Sequence, residues 1–408
     1  MTNYDGLYKP SYYGEKLFEN HFSAKKLGFQ VIENATVLPL IFENGKINYG
    51  GIVDGEKNFV ERSFIHIGRG ESYIPQEKIL QSSETVIYIG MMTNIWGHCL
   101  TDNIKRLWFL KSKFFKNNFK RCQIIYLNTF SKFIPELLKL FKILEVDVEN
   151  WREIKQPTKF KKIILPDESF FLDKGATKNY NCAIEGSPNN FRGNDCSFFT
   201  KEYVSAIDKI KNFAQKNYSP LPQKKFFFFY GKNQVGEENL ANYFVGKGYQ
   251  PVIPTNFSFE EQLNILLNCE NFASTVGSIS HNIIFMRDKT QAILIPRRAA
   301  FLNIYQQALN QIRDMEIFYI DSAFSIFSRK HSEGFCYIIS EQLRKFFGDE
   351  ITEKYSEQDF YNFLLYSKHA RKNNLQINPQ DEKYFSDLIS DFMNCLKQNS
   401  KFLKKISR

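Results

Sequence analysis

Short apolar runs alternate with amphipathic stretches along most of this chain, and that alternation constrains its fold more than any other feature. Runs of about four to eight apolar residues suit strands covered on both faces, and the stretches between them carry the helical period. In the first half the strand candidates are Phe29–Leu38, Phe59–Ile67, Val86–Gly90, Gln123–Leu127 and Lys162–Pro166. Helices are expected over Thr93–Lys116, Ile134–Leu144 and Lys201–Lys216, and a long loop over Asp167–Ser197. In the second half strands at Lys225–Tyr230, Gln250–Ile253, Phe272–Thr275, Gln291–Pro296 and Glu316–Ile320 enclose helices near Glu237–Gly246, Glu260–Asn268, His281–Arg287 and Leu302–Ile312. The expectation is therefore an α/β protein with parallel sheets. At 408 residues it exceeds one ordinary core, so more than one domain is expected. The boundaries fall at 1–217, 218–325 and a helical segment 326–408, with Tyr218-Ser-Pro-Leu-Pro as linker.

The 41 Phe and 21 Tyr must mostly enter cores, since each buried ring removes roughly 150–250 Å² from water. A net charge of +10 is spread along the sequence, with one dense run at Lys397–Arg408. Such a tail suits anionic lipid or glycan, or is a solvated end. Diffuse charge without an arginine-rich arm or zinc finger argues against nucleic acid. Seven dispersed cysteines, with no Cys-x-x-Cys, argue against a zinc site and a disulfide framework. No secretory leader or membrane span is evident, so the expected location is the cytoplasm, with peripheral contact at the inner membrane face through the basic tail.

Within Thr93–Leu110 (TNIWGHCLTDNIKRLWFL), His98, Asp102 and Arg106 stand four residues apart. On one continuous helix they share a stripe spanning about 80°. Leu100, Ile104, Leu107 and Phe114 lie opposite, so the polar stripe is expected to face solvent or a cleft. An Asp102–Arg106 ion pair on a solvated face would explain the same spacing.

The segment Ser274-Thr-Val-Gly-Ser-Ile-Ser-His-Asn282 links a strand to a helix. Gly277 permits a tight turn and Ser280 can cap, so the turn from Gly277 and Ser278 to Ser280, His281 and Asn282 can receive a diphosphate on amides and a helix dipole. Lys232, beyond the strand Phe226–Tyr230, is expected to project toward the same crevice as a phosphate partner, or is a solvated loop lysine. Glu261 is a weak ribose acceptor, because Ser258-Phe-Glu-Glu261 already has capping-box spacing. Asp-x-Asp, the P-loop, Gly-x-Gly-x-x-Gly and Gly-x-Ser-x-Gly are all absent, which disfavours metal-dependent sugar transfer, kinases, dinucleotide oxidoreductases and common serine hydrolases.

Together these residues resemble glycosyltransferase family 61, in its bacterial polysaccharide-building members. His98, Asp102, Arg106 and Leu107 match the family's His-x-x-x-Asp-x-x-x-Arg-Leu. Lys232, Ser258–Gln262, Gly277, Asn282 and Pro296 match landmarks of its second half in order. Tyr230-Gly-Lys232 replaces a frequent Ser-Arg, Val276-Gly-Ser-Ile a frequent His-Gly-Ala-Gly, and Cys99 a frequent tryptophan. The resemblance implies a GT-B-like architecture: two Rossmann-like domains facing across a cleft, the first on the acceptor side, the second holding the donor. It implies an inverting transfer from a nucleotide sugar to a glycan acceptor, with no metal and no other cofactor. His98 or Asp102 would be the base; Arg106, Lys232 and the Gly277–Asn282 turn would hold the diphosphate. The main rival is a non-catalytic basic module binding an anionic glycan or a membrane face. A further rival is another nucleotide-sugar enzyme, such as an epimerase.

Overall fold

A computed structural model describes residues 2–6, 20–43, 46–64, 71–173, 196–231, 234–297, 303–324, 335–373 and 382–398. Lys232, most of the Asp167–Ser197 stretch and all but the start of the basic tail lie outside them. The chain is a mixed α/β protein that divides into two compact units. One comprises the described parts of Asn20–Lys174 and Cys196–Asn217; the other comprises strand β1 (Thr2–Gly6) and the described parts of Tyr218–Arg408.

The unit starting at Asn20 holds a seven-stranded sheet. Its strands are β2 (Phe29–Glu43), β3 (Lys46–Val53), β4 (Phe59–Val60), β5 (Leu80–Met92), β6 (Gln123–Asn128), β7 (Arg152–Glu153) and β8 (Thr158–Pro166). Their order is β4-β3-β2-β8-β5-β6-β7. Only the β8-β5-β6-β7 part is parallel; β2 pairs antiparallel with β3 and β8. This corrects the expected all-parallel sheet. Two residues separate β2 from β3, and a connection that short joins only antiparallel neighbours. Within the stretch Asp167–Ser197, expected to be one loop, β9 (Phe170–Asp173) pairs antiparallel with β10 (Cys196–Phe199), which corrects that expectation at its two ends.

The expected helix over Thr93–Lys116 is broken into α1 (Trp96–Thr101), α2 (Leu107–Lys111) and α3 (Lys113–Asn118). The side chain of Asn103 causes the first break, since it bonds both backbone groups of Thr93. Leu100, Ile104 and Leu107 are buried as the pattern requires, whereas Phe114 is about half exposed. Helices α4 (Pro135–Ile143) and α5 (Lys201–Lys216) complete the unit. Its core joins Val86, Tyr88, Ile125, Leu127, Ile163 and Leu165, the inward residues of the central strands.

The other unit is built on a parallel six-stranded sheet. Its remaining strands are β11 (Lys225–Phe228), β12 (Gln250–Val252), β13 (Asn271–Thr275), β14 (Gln291–Ile295) and β15 (Glu316–Ile320). The order is β1-β15-β14-β13-β11-β12, every pair parallel. Helices α6 (Glu237–Gly246), α7 (Phe259–Asn268) and α8 (Ile304–Leu309) connect them. The phenylalanine run of β11 is buried on both faces, Phe227 stacking on Phe244 at 4.4 Å and Phe228 against Phe272 at 5.2 Å. Each such burial contributes roughly 1.5–3 kcal/mol.

Beyond the sheet come the small pair β16 (Ala323–Phe324) and β17 (Cys336–Tyr337), then α9 (Glu341–Phe346), α10 (Glu357–Lys372) and α11 (Glu382–Gln398). Phe360, Tyr366 and Phe392 of the last two helices pack with Phe324, Cys336 and Ile338, so this helical segment belongs to the same unit as the sheet. Cys99, Cys122, Cys269, Cys336 and Cys395 are free thiols. Among the described residues no helix is long and apolar enough to cross a membrane.

Candidate functional site

His98 sits in the first full turn beyond β5. The chain leaves Met92, passes the Thr93 anchor and enters α1, so the imidazole stands just past the carboxyl end of a parallel strand. Asp102 closes α1, its amide donating to the His98 carbonyl at 2.8 Å. Within that single turn the i,i+4 relation survives, and His98 Nδ1 lies 2.6 Å from Asp102 Oδ2. An ionised carboxylate only accepts, so the Nδ1 proton lies between them and Nε2 is the basic nitrogen. The His98 side chain is 24% exposed and Asp102 5%, so the imidazole is the solvent-facing member.

The carboxylate is fully engaged. Thr101 Oγ1 donates to Oδ2 at 3.2 Å, and Lys105 Nζ lies 3.1 Å from Oδ1. Lys105 also reaches Glu168 Oε1 at 3.0 Å, and that oxygen receives Arg106 at 2.6 Å. Two cations and two anions thus form one buried, charge-balanced cluster, with His98 at its edge. Pairing inside the protein is what makes such burial tolerable. Neighbouring Cys99 takes no part as a nucleophile, since burial, then Asp102 and Glu136, push its thiol up to about 12.

Arg106 departs from expectation. Its guanidinium does not look outward with His98: like Asp102 it is buried, donating Nε to the Pro166 carbonyl at 3.0 Å and further N–H groups to Glu168 and the Arg62 carbonyl, so only His98 of the expected outward stripe reaches solvent. The turn spanning residues 102–106 resets the helical phase, which carries residue 106 off the stripe. Gly90, at φ +118°, makes room for it, since a Cβ there would come within 2.9 Å of the guanidinium. Arg106 therefore ties Arg62 to the end of β8 and to Glu168, and its donors are spent inside the protein. Lys105 and Glu168 were not anticipated. Two adjacent cations in an otherwise apolar stretch, and an acid directly after a buried strand, are their traces in the sequence.

The Gly277 turn also differs. In place of an α-helix, Ser280–Phe285 forms six residues of 3-10 helix, too short for a useful dipole. Ser280 Oγ accepts the Gly277 amide at 3.0 Å and lies 2.5 Å from Gln306 Oε1; Gln306 in turn reaches Asn310 at 2.9 Å. The amides of Val276, Ser280 and Asn282 donate to Ile295, Gly277 and Ile279. Those four amides are thus spent inside the protein and are not offered to an anion, and Ser280, His281 and Asn282 are buried. Gly277 and Ser278 remain partly exposed. Glu261 is taken by its capping box, accepting from the Ser258 amide at 2.7 Å and hydroxyl at 2.8 Å, bonds that lower its carboxyl below the usual range. Lys232 lies outside the described residues.

One unanticipated residue organises the strand ends. Glu237, at the start of α6, is buried and accepts the Tyr230 amide at 3.1 Å, holding the chain as it leaves β11. Burial raises its carboxyl above the usual range, against the Tyr230 amide, the Arg297 charge, the Gly231 amide and Thr275. Among the described residues no three His, Cys, Asp or Glu side chains converge as a metal set.

No protein-family model and no curated protein matches the chain. Among solved structures it is similar to the dodecameric iron-containing heptosyltransferase TibC, solved in complex with ADP-D-β-D-heptose. The identity is 13%, the TM-score 0.22, and the match covers 65% of this chain and 73% of that one.

Proposed function

We propose that the protein is an inverting, metal-independent glycosyltransferase that moves a sugar from a nucleotide-sugar donor to a hydroxyl of a growing surface polysaccharide, capsule or lipopolysaccharide. The observation that carries the reading is the His98–Asp102 pair, bonded at 2.6 Å at the end of a parallel strand. The order of the motifs, which resembles that of glycosyltransferase family 61, supports it.

In this reading His98 is the base and Asp102 the residue that orients it. Both Asp102 oxygens are already occupied, one by His98 and Thr101 and the other by Lys105. Nε2 takes the proton as the acceptor oxygen attacks the anomeric carbon; the bond to the diphosphate oxygen breaks on the opposite face, so configuration inverts. Asp102 stabilises the imidazolium that forms, and the nucleoside diphosphate departs carrying the released charge.

The test is nucleoside diphosphate release from a panel of uridine, cytidine, guanosine and adenosine diphosphate sugars with a polysaccharide acceptor. One donor is expected to react, and His98→Ala to lower kcat by about 10²–10⁴-fold. Full activity in that variant ends the base assignment, and no release from any donor ends the reading. The amides closed around Gly277 favour the rival of a non-catalytic binding module, in which case calorimetry with uridine and cytidine diphosphates shows no heat.

A further inference from the structure

The parallel sheet of the second unit changes direction once. From β11 the chain crosses to β12 on one side, and then β13, β14 and β15 are laid down on the other. In open α/β sheets the crevice beyond the carboxyl ends of the strands at such a reversal is where ligands sit. Here the reversal falls between β11 and β13, and three residues follow the ends of neighbouring strands. Tyr230 lies two residues past β11, Gly277 two past β13, and Arg297 two past β14.

Arg297 is the group that fills this place. Its guanidinium lies over the Tyr230 ring at 4.7 Å and the Phe335 ring at 5.6 Å. Gly277, at φ +155°, admits it: a Cβ there would come within 2.6 Å of the guanidinium and 2.7 Å of the Tyr230 hydroxyl. Burial opposes the charge, and the Tyr230 and Tyr337 hydroxyls more than offset this, so the group stays protonated throughout. Its contacts are thus hydroxyls and ring faces. No described carboxylate pairs with it directly, although Glu237 lends a counter-charge from below. A largely desolvated guanidinium without a carboxylate partner is half of a charge-assisted pair, and its planar fork matches phosphate oxygens. Arg297, Tyr230, Gly277 and Ser278 are all partly exposed, while Thr275, Glu237 and Tyr337 beneath them are buried, so the surface of the cluster can be reached.

We infer that Arg297, steadied by Tyr230 and admitted by Gly277, forms an anion site for a phosphate or diphosphate group at the β11/β13 switch point. The site rests on the transferase reading and deepens it, since there a diphosphate is the leaving group. Specificity for the group follows from shape: the fork presents paired N–H donors, and the Tyr230 hydroxyl fixes their direction.

Isothermal titration of the full-length protein with inorganic pyrophosphate tests this without any assumption about the sugar. One saturable site is expected, weakened at least tenfold in Arg297→Met. Tyr230→Phe, which keeps the ring and removes only the hydroxyl, is expected to weaken it about threefold and serves if the first variant does not fold. Absence of a saturable site in the wild-type protein, or unchanged binding in the variants, overturns the inference. The two readings separate cleanly. Pyrophosphate binding that depends on Arg297 in a protein that turns over no nucleotide sugar leaves this site standing and removes the transferase; full turnover with unaltered KM in Arg297→Met does the reverse.

Discussion

At His98 and Asp102 the division of labour can be tested by splitting kinetic constants. Asp102→Asn keeps the shape of the side chain but removes the charge that orients the imidazole. It is expected to lower kcat about 10²–10⁴-fold with donor KM nearly unchanged. Glu168 asks a different question. It balances both Lys105 and Arg106, so Glu168→Gln leaves a buried guanidinium without its carboxylate, and urea unfolding should show a loss of roughly 3–5 kcal/mol. His21 sets a pH dependence. Burial lowers its pKa to about 4, against the Ser197 carbonyl, which lies 2.6 Å from Nδ1 and acts to raise it. Its ordinary value is 6.5, so as pH falls below that the unfolded chain binds a proton that the folded one refuses. Stability at this residue is therefore present at neutral pH and lost on acidification toward 4. Between pH 7 and 4.5 the wild-type protein should lose about 2 kcal/mol more than His21→Gln in denaturant titrations.

At the scale of elements, what was legible in the sequence is what depends on one stretch of chain. Strands β11 and β14 are short apolar runs opened by one polar residue, and the capping box at Ser258 is written in four residues. Ser258→Ala should cost about 1 kcal/mol in thermal unfolding, because the Glu261 amide loses its acceptor at the start of α7. The His98–Asp102 pair was legible for the same reason, since it lies within one turn. Arg106 was not, because Asn103 reaches back to Thr93 and shifts the phase of everything after it. Glu168 and Arg297 were illegible in another way: their partners lie 62 residues off in one case and on separate strands in the other. Strand β3 (KINYGGIV) carries two glycines and no clean alternation, and β1 (TNYDG) is polar; both take their form from the strand alongside. The Gly277 turn shows the reverse, a motif correctly located whose amides turn out to be committed to Ser280. Gly277→Ala should cost about 1–3 kcal/mol, measured by thermal melting, since the added methyl strains the backbone and meets Arg297.

Across the whole molecule, β1 covers β15 on the edge of the parallel sheet. Deleting residues 1–6 would leave the β15 edge unpaired, a template for pairing with another copy. Light scattering should then show concentration-dependent association that the intact chain lacks. The same pairing joins Thr2 to Ile317, with Asn20–Lys174 and Cys196–Asn217, the other unit, lying between them in sequence. On the ribosome, β1 emerges long before β15 and must wait for it. The inserted unit can finish folding during that delay, while the parallel sheet can close its edge only once β15 has been synthesised.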